Sequence, residues 1–333
     1  MTDPRESEIT TGDMQIAETA VNAALPGAEA LPPDQPVEPG APARSQWRDV
    51  WHQFRSHRGA MVALVVFVGI ILFVSVGPWL WTIDPTYVDY RARNQGFTVT
   101  HPLGTDQLGR DILSRMMTGG RVSISVGLVA MSIALTLGSF IGILSGYFRR
   151  LDAPLMRLTE LFLALPLLPL LLLMVTLFRE PLGRTLGPAG GTFLLIVLAI
   201  GVTSWMQTAR IVRGDVLGLK EREFILAAKS IGTPAPRMIL RHVLPNVISP
   251  IMVAATLGIA TAIITESALS FLGLGFPPDF PTWGRLLYDA VDQMQMYPWR
   301  VILPGAFISL TVLSVNYIGD GLRDAMDPRI RGR

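Results

Sequence analysis

The sequence predicts an all-α integral membrane protein with six transmembrane helices. Three observations carry that prediction. Half of the 333 residues are hydrophobic and only 16% are charged, where a soluble domain carries about 25% charge. Six apolar stretches approach the ~20 residues that a bilayer-spanning helix needs. The 28 Lys and Arg gather on alternate connections between those stretches, the bias that sets orientation in a membrane.

The chain opens in a different composition. Residues 4–44 are rich in Ala, Pro, Glu and Thr, with clusters such as Leu31-Pro32-Pro33. Such a stretch buries too little apolar surface to offset its ordering entropy. Residues 1–46 are therefore expected to form a disordered cytoplasmic tail. They do not read as a signal peptide, lacking a basic start and a compact apolar core. Residues 47–121 hold the first span, at 59–81, and an outer loop. Residues 122–330 hold the remaining five: 122–148, 158–178, 192–209, 247–268 and 301–318. Pro166 and Pro169 interrupt the third, and Pro250 stands at the entry to the fifth. Membrane helices tolerate this when neighbours satisfy the freed carbonyls.

Orientation follows from the basic residues. With the amino terminus inside, the inner segments hold Arg48, Arg55 and Arg58, then Arg149, Arg150 and Arg157, then the basic run from Arg210 to Arg241, then Arg323 to Arg333. The outer segments hold fewer, among them Arg110, Arg115, Arg285 and Arg300. Both termini are thus expected in the cytoplasm. Trp79, Trp81 and Trp299 fall at outer span ends, where they read as interfacial anchors.

Several chemistries are missing. A phosphate-binding loop needs Gly-x-x-x-x-Gly-Lys-Ser/Thr, and Lys229-Ser230 follows Ala228 rather than Gly. No cysteine is present, which excludes disulfides and thiolate sites. His52, His57, His101 and His242 are scattered and read as loop or interfacial residues. The span centres carry no charge. Glu160 and Glu266 lie near span ends and read as capping or snorkelling carboxylates, with a pathway role as the alternative. Asp324 and Asp327 read as a helix-ending Asp-Pro turn rather than a metal pair. No metal, cofactor or catalytic group is expected on the chain, and any pumping must draw energy from a partner.

Two connections carry pattern. In the inner segment 210–246, Phe224, Ala228 and Ile231 fall at i, i+4 and i+7, one face of a helix starting at Lys220. Glu221 and Glu223 suit its first turn, and Gly232 its C′ stop. Such a helix either enters a partner's groove or rests on the membrane. In the outer loop, Gly104 and Gly109 allow tight turns, and Asp111 can cap a helix from Ile112. Gly104, Thr105, Asp106, Gly109, Arg110 and Asp111 then form either a gate that receives a partner or a capped loop that positions the second span.

These residues carry a resemblance. Ala227, Ala228, Gly232, Leu244 and Pro245 match the cytoplasmic loop of ABC importer permeases, whose pattern is Glu-Ala-Ala, then Gly, then Leu-Pro; Leu226 stands where the Glu would be. Residues 101–115 are similar to a signature of the C-type dipeptide and oligopeptide permeases. Residues 266–275 with 281–284, and residues 316–329, resemble two further family stretches. The resemblance implies the type I importer permease fold, with five core helices and one added at the amino terminus. It implies a second homologous permease, two ATPase subunits that bind ATP and Mg, and an extracytoplasmic substrate-binding protein that delivers a peptide. No nucleic-acid partner is expected. The helix holding Arg222, Glu223, Phe224, Ala227, Ala228, Ile231 and Gly232 would couple to an ATPase, Arg222-Glu223 standing in for the missing Glu. Nickel or another small solute is the alternative cargo. A secondary transporter or a non-transporting membrane scaffold are the alternatives outside this class.

Overall fold

The computed structural model describes residues 46–326. The tail expected over residues 1–46 lies outside the described residues except for Gln46, and so does the motif's end from Asp327 onward.

A short amphipathic helix, α1 (Gln46–Ser56), leads the described chain and buries Phe54 against Ala60 and Ala325. His57 breaks it from α2 (Arg58–Leu80) and caps the new helix, its Nδ1 accepting from the Ala60 N–H at 3.0 Å. The 23 residues of α2 rise ~35 Å, enough to cross a ~30 Å hydrocarbon layer.

α3 (Ile112–Tyr147) begins well before the expected second span, because Asp111 caps it. Its 36 residues rise ~54 Å, so it projects beyond the bilayer. It packs most extensively on α6 (Pro188–Lys220). Gly138 and Gly142 of α3 make that possible: a Cβ at Gly142 would lie 2.7 Å from the Ala209 carbonyl oxygen, and one at Gly138 2.6 Å from that of Trp205. Close backbone approach at a small residue four positions from the next is how helices pack in a medium that supplies no hydrophobic drive.

The third span, expected as one helix over residues 158–178, is instead two: α4 (Arg149–Leu163) and α5 (Leu167–Leu186), bent by 82°. Pro166 has no N–H to continue the ladder and drives Leu165 out of the helical region. Pro169 is tolerated in the first turn of α5.

Segment 210–246, where one helix starting at Lys220 is expected, is mostly helix. α6 runs on to Lys220, and α7 (Glu223–Ser230) is brief. α8 (Ala235–Phe271) passes through a π-turn at Ile239–Val243. α9 (Trp283–Val291) lies in the second outer connection, and α10 (Trp299–Met326) ends the described chain. α3 touches α2, α4, α6, α8 and α9, and so forms the hub. Among the described residues, five helices are long and apolar enough to cross a membrane, and the bent α4–α5 pair makes a sixth crossing if counted as one.

Candidate functional site

At the end of the spans where α6 stops, α7 sits across three of them. Ile225 and Ala228 of α7 are buried in one apolar cluster with Ile143 of α3, Val212 and Val216 of α6, and Met238, Val243 and Val247 of α8. Leu244 packs on the same cluster, while the adjoining Pro245 is exposed. Two polar ties brace this end. Lys220 Nζ donates to the carbonyls of Gly146 at 3.2 Å and Tyr147 at 2.9 Å, supplying positive charge at the C-terminus of α3. Arg213 forks onto both oxygens of Asp152, joining α6 to α4.

Lys220 closes α6 rather than opening the short helix, which begins at Glu223 behind an Arg222 N-cap with no side-chain bond. Its end matches its residues: the Gly232 N–H donates to the Lys229 carbonyl and the Thr233 N–H to the Ala228 carbonyl, at 3.0 and 3.1 Å. That is a Schellman turn, and Gly232 carries the positive φ of 78° it demands. The face expected from Phe224, Ala228 and Ile231 is divided. Ala228 turns inward, because Ile225 and Ala228 together fill the cluster. Phe224 (45% exposed) and Ile231 (84% exposed) point away from the chain, with Leu226 and Ala227 also exposed. Arg222, Glu223 and Lys229 rim this apolar surface.

The opposite end is closed by an ionic cap. Asp106 Oδ1 accepts from the Leu108 and Arg110 N–H groups at 2.8 and 3.0 Å. Its Oδ2 accepts from Arg110 Nε at 2.7 Å and Arg115 Nη1 at 2.6 Å. Arg115 reaches on to Asp289 of α9 at 3.2 Å, and Asp289 also pairs with Arg285 at 3.0 Å. Burial pushes the Asp106 carboxyl up, but Arg115, Arg110 and the Arg110 N–H hold it below its ordinary value. Thr105 accepts from the Gln95 N–H, and its carbonyl accepts from Arg300 at 2.5 Å. Gly104 and Gly109 both have positive φ, and a side chain at Gly109 would overlap the Asp89 carbonyl. Asp111 caps α3 through the Ser114 N–H at 2.8 Å and also accepts from Trp81 Nε1 at 2.9 Å. His101 Nδ1 lies 2.9 Å from its other oxygen. Trp81 is thus bound to the loop, and Trp299 packs on Phe97, so only Trp79, largely exposed, matches the anchor reading.

One residue read wrongly from sequence is Glu266. It neither snorkels nor caps: it is wholly buried, accepting from Ser123 Oγ of α3 at 2.8 Å and from Ser270 Oγ of α8 at 2.7 Å. Ser123 Oγ in turn accepts from the Trp283 N–H at 3.3 Å, and Trp283 Nε1 donates to the Met116 carbonyl at 3.0 Å. The carboxyl therefore sits where α3, α8 and α9 meet. Asp289, Arg285 and Arg300 were also missed as members of the cap; the i, i+4 spacing of Arg285 and Asp289 was the available signal.

Comparison with known proteins bears on the whole chain. Residues 134–332 match the model of the binding-protein-dependent transport system inner membrane component. Residues 45–96 match that of the N-terminal TM domain of oligopeptide transport permease C. The oligopeptide transport system permease protein OppC of Haemophilus influenzae is 39% identical, over 86% of this chain and 90% of its own. The dipeptide transport system permease protein DppC of Alkalihalophilus pseudofirmus is 38% identical, over 90% and 95%. The glutathione transport system permease protein GsiD of Escherichia coli is 36% identical, over 93% and 97%.

Proposed function

The chain belongs to the binding-protein-dependent transport system inner membrane components, and from that premise we propose that it is one permease of an ATP-driven importer whose cargo is peptide. Relatives that align along most of their own length are named for oligopeptide, dipeptide and glutathione transport. They support a short peptide as the substrate.

In this reading both termini face the cytoplasm. A second homologous permease completes the pathway, two ATPase subunits dock on the inner side, and a substrate-binding protein delivers peptide at the outer cap. ATP and Mg belong to the ATPases. The observation that carries the reading is the placement of α7: its outward residues Phe224 and Ile231 offer an apolar surface, while its inward residues Ile225 and Ala228 are locked to α3, α6 and α8. A close-packed cluster transmits displacement rather than absorbing it. An ATPase that closes on ATP therefore moves three spans through one helix, a rigid-body switch driven by differential binding.

The test is uptake of labelled dipeptide, longer peptide and nickel by cells with and without this chain. The expected result is loss of peptide uptake alone. Loss of nickel uptake alone overturns the cargo, and no loss of any solute overturns the importer assignment.

A further inference from the structure

On the peptide-importer reading, substrate crosses the membrane along some face of this chain, and three features coincide on one face. The first is the elbow between α4 and α5. Residues 163–168 are exposed there, and α5 starts at Pro166 with no side-chain cap. Pro166 and Pro169 have no N–H, so the first-turn donors without a partner within the helix are those of Leu167 and Leu168. Irregular backbone at membrane depth persists only where protein covers it or a water-filled cavity meets it, and this chain leaves the elbow uncovered.

The second feature is a cavity of about 280 Å³ beside the elbow, walled by α3, α6 and α8. Ser204 and Gln207 of α6 and Thr261 of α8 line it. Gln207 and Thr261 are exposed. A primary amide held against hydrocarbon loses several kcal/mol of hydrogen bonding, roughly 4–8 on transfer to a solvent that cannot bond it. Gln207 lies near the end of the apolar run of α6, one turn before Arg210, and its exposed amide needs a polar neighbour there. The third feature is chemical: the lining residues carry no charge.

We infer that this cavity is the chain's half of a mid-membrane site that holds the peptide backbone. Ser204 and Gln207 are neutral groups that both donate and accept, as peptide N–H and C=O require, while Thr261, whose hydroxyl already donates to the Leu257 carbonyl at 3.0 Å, is left to accept. The elbow's first-turn N–H groups supply further donors. Side chains of the cargo rest on the exposed Leu165, Leu167 and Leu257 of the lining, and no lining group discriminates their charge. The volume is at the small end for a ligand site, as a half-site completed by the second permease would be.

The chain has no cysteine, so single substitutions report cleanly. Ser204→Cys, Gln207→Cys and Thr261→Cys are introduced into the assembled importer in nanodiscs, with Leu313→Cys on the exposed face of α10 as the lipid-facing control. A membrane-impermeant thiol reagent is then applied, with and without binding protein loaded by neutral, acidic, basic or backbone N-methylated tripeptides. Each variant is first assayed for peptide uptake, and Ser204→Cys, the most conservative, serves if another fails to assemble.

The expected result is labelling about tenfold faster in the cavity than at position 313, since a thiol in hydrocarbon does not ionise. The neutral, acidic and basic peptides protect alike. The N-methylated peptide, which has lost its backbone donors, protects about tenfold less well. Cavity labelling no faster than the control overturns the proposal, and so does labelling that no peptide slows. Protection by one charge class alone, or undiminished protection by the N-methylated peptide, overturns the backbone assignment. A wild-type importer that takes up no peptide removes the functional reading itself, whereas uptake with unlabelled cavity cysteines removes the half-site alone.

Discussion

Two acidic residues hold the end of the molecule that carries the ionic cap, in different ways. Asp106 is kept below its ordinary pKa by Arg115 and Arg110 against the opposing effect of burial. A depressed carboxyl contributes stability that is fully present above its unfolded value, about 3.9, and lost as pH falls through the lower folded value. The N–H groups of Leu108 and Arg110, which donate to Asp106, should stay protected from hydrogen exchange through the ordinary carboxylate range and open only as pH falls below it, through the depressed folded value. Asp106→Asn should abolish that acid-dependent step and cost about 3–5 kcal/mol at neutral pH, because two buried guanidinium groups lose a partner. An unchanged exchange profile in the variant would contradict this account of the cap. Glu266 works through hydroxyls instead. Glu266→Ala leaves Ser123 and Ser270 without their acceptor and opens a void, and should cost about 3 kcal/mol. Glu266→Gln keeps an acceptor and the volume and should cost clearly less, as thermal unfolding in detergent would reveal. Ser270, four residues on in α8, was the one local sign of this environment; Ser123 lies more than a hundred residues away, and only the α3–α8 packing brings it to Glu266.

Helix scale is where sequence and structure agree most and also part most plainly. Apolar length sufficed to find α2, α3, α6, α8 and α10, because a bilayer demands a continuous run whatever the neighbours do. The capped start of α3 at Asp111 and the Gly232 stop of α7 were legible for a second reason: both depend on local backbone chemistry. The break at Pro166 was not resolved by hydropathy, since both arms of the elbow are apolar and composition carries no bend. The two sides of α7 escaped the pattern as well. Helical periodicity grouped Phe224 with Ala228, but which apolar side is inward is decided by Val212, Val216 and Val243 on other helices. The α3–α6 seam gives a prediction at this scale. Gly142→Leu places a side chain against the Ala209 carbonyl and Val212. Backbone that close cannot yield to a branched side chain, so the seam must part. The variant should reach the membrane yet lose its compact fold, seen as a sharp gain in protease sensitivity; wild-type resistance would contradict the packing described.

Taken whole, the molecule is a set of spans fastened at both ends by different means. One end is tied by ion pairs and hydroxyl–carboxyl bonds among residues 104–111, α3, α8 and α9. The other end is tied by an apolar cluster that includes a short helix offering its other side to solvent. This difference fits a part that receives cargo on one side and force on the other. The direct test is Ile231→Asp, which alters a side chain 84% exposed and outside the cluster, and so spares the fold. The importer should be assembled with this variant, and its ATPase subunits measured by co-purification together with ATP-driven peptide uptake. A buried charge at an apolar contact of this kind costs about 2 kcal/mol or more. The account expects ATPase retention to fall by at least about tenfold and uptake to fail with it, while membrane insertion stays normal. Full retention and full uptake would contradict the claim that α7 is the element through which this chain is driven.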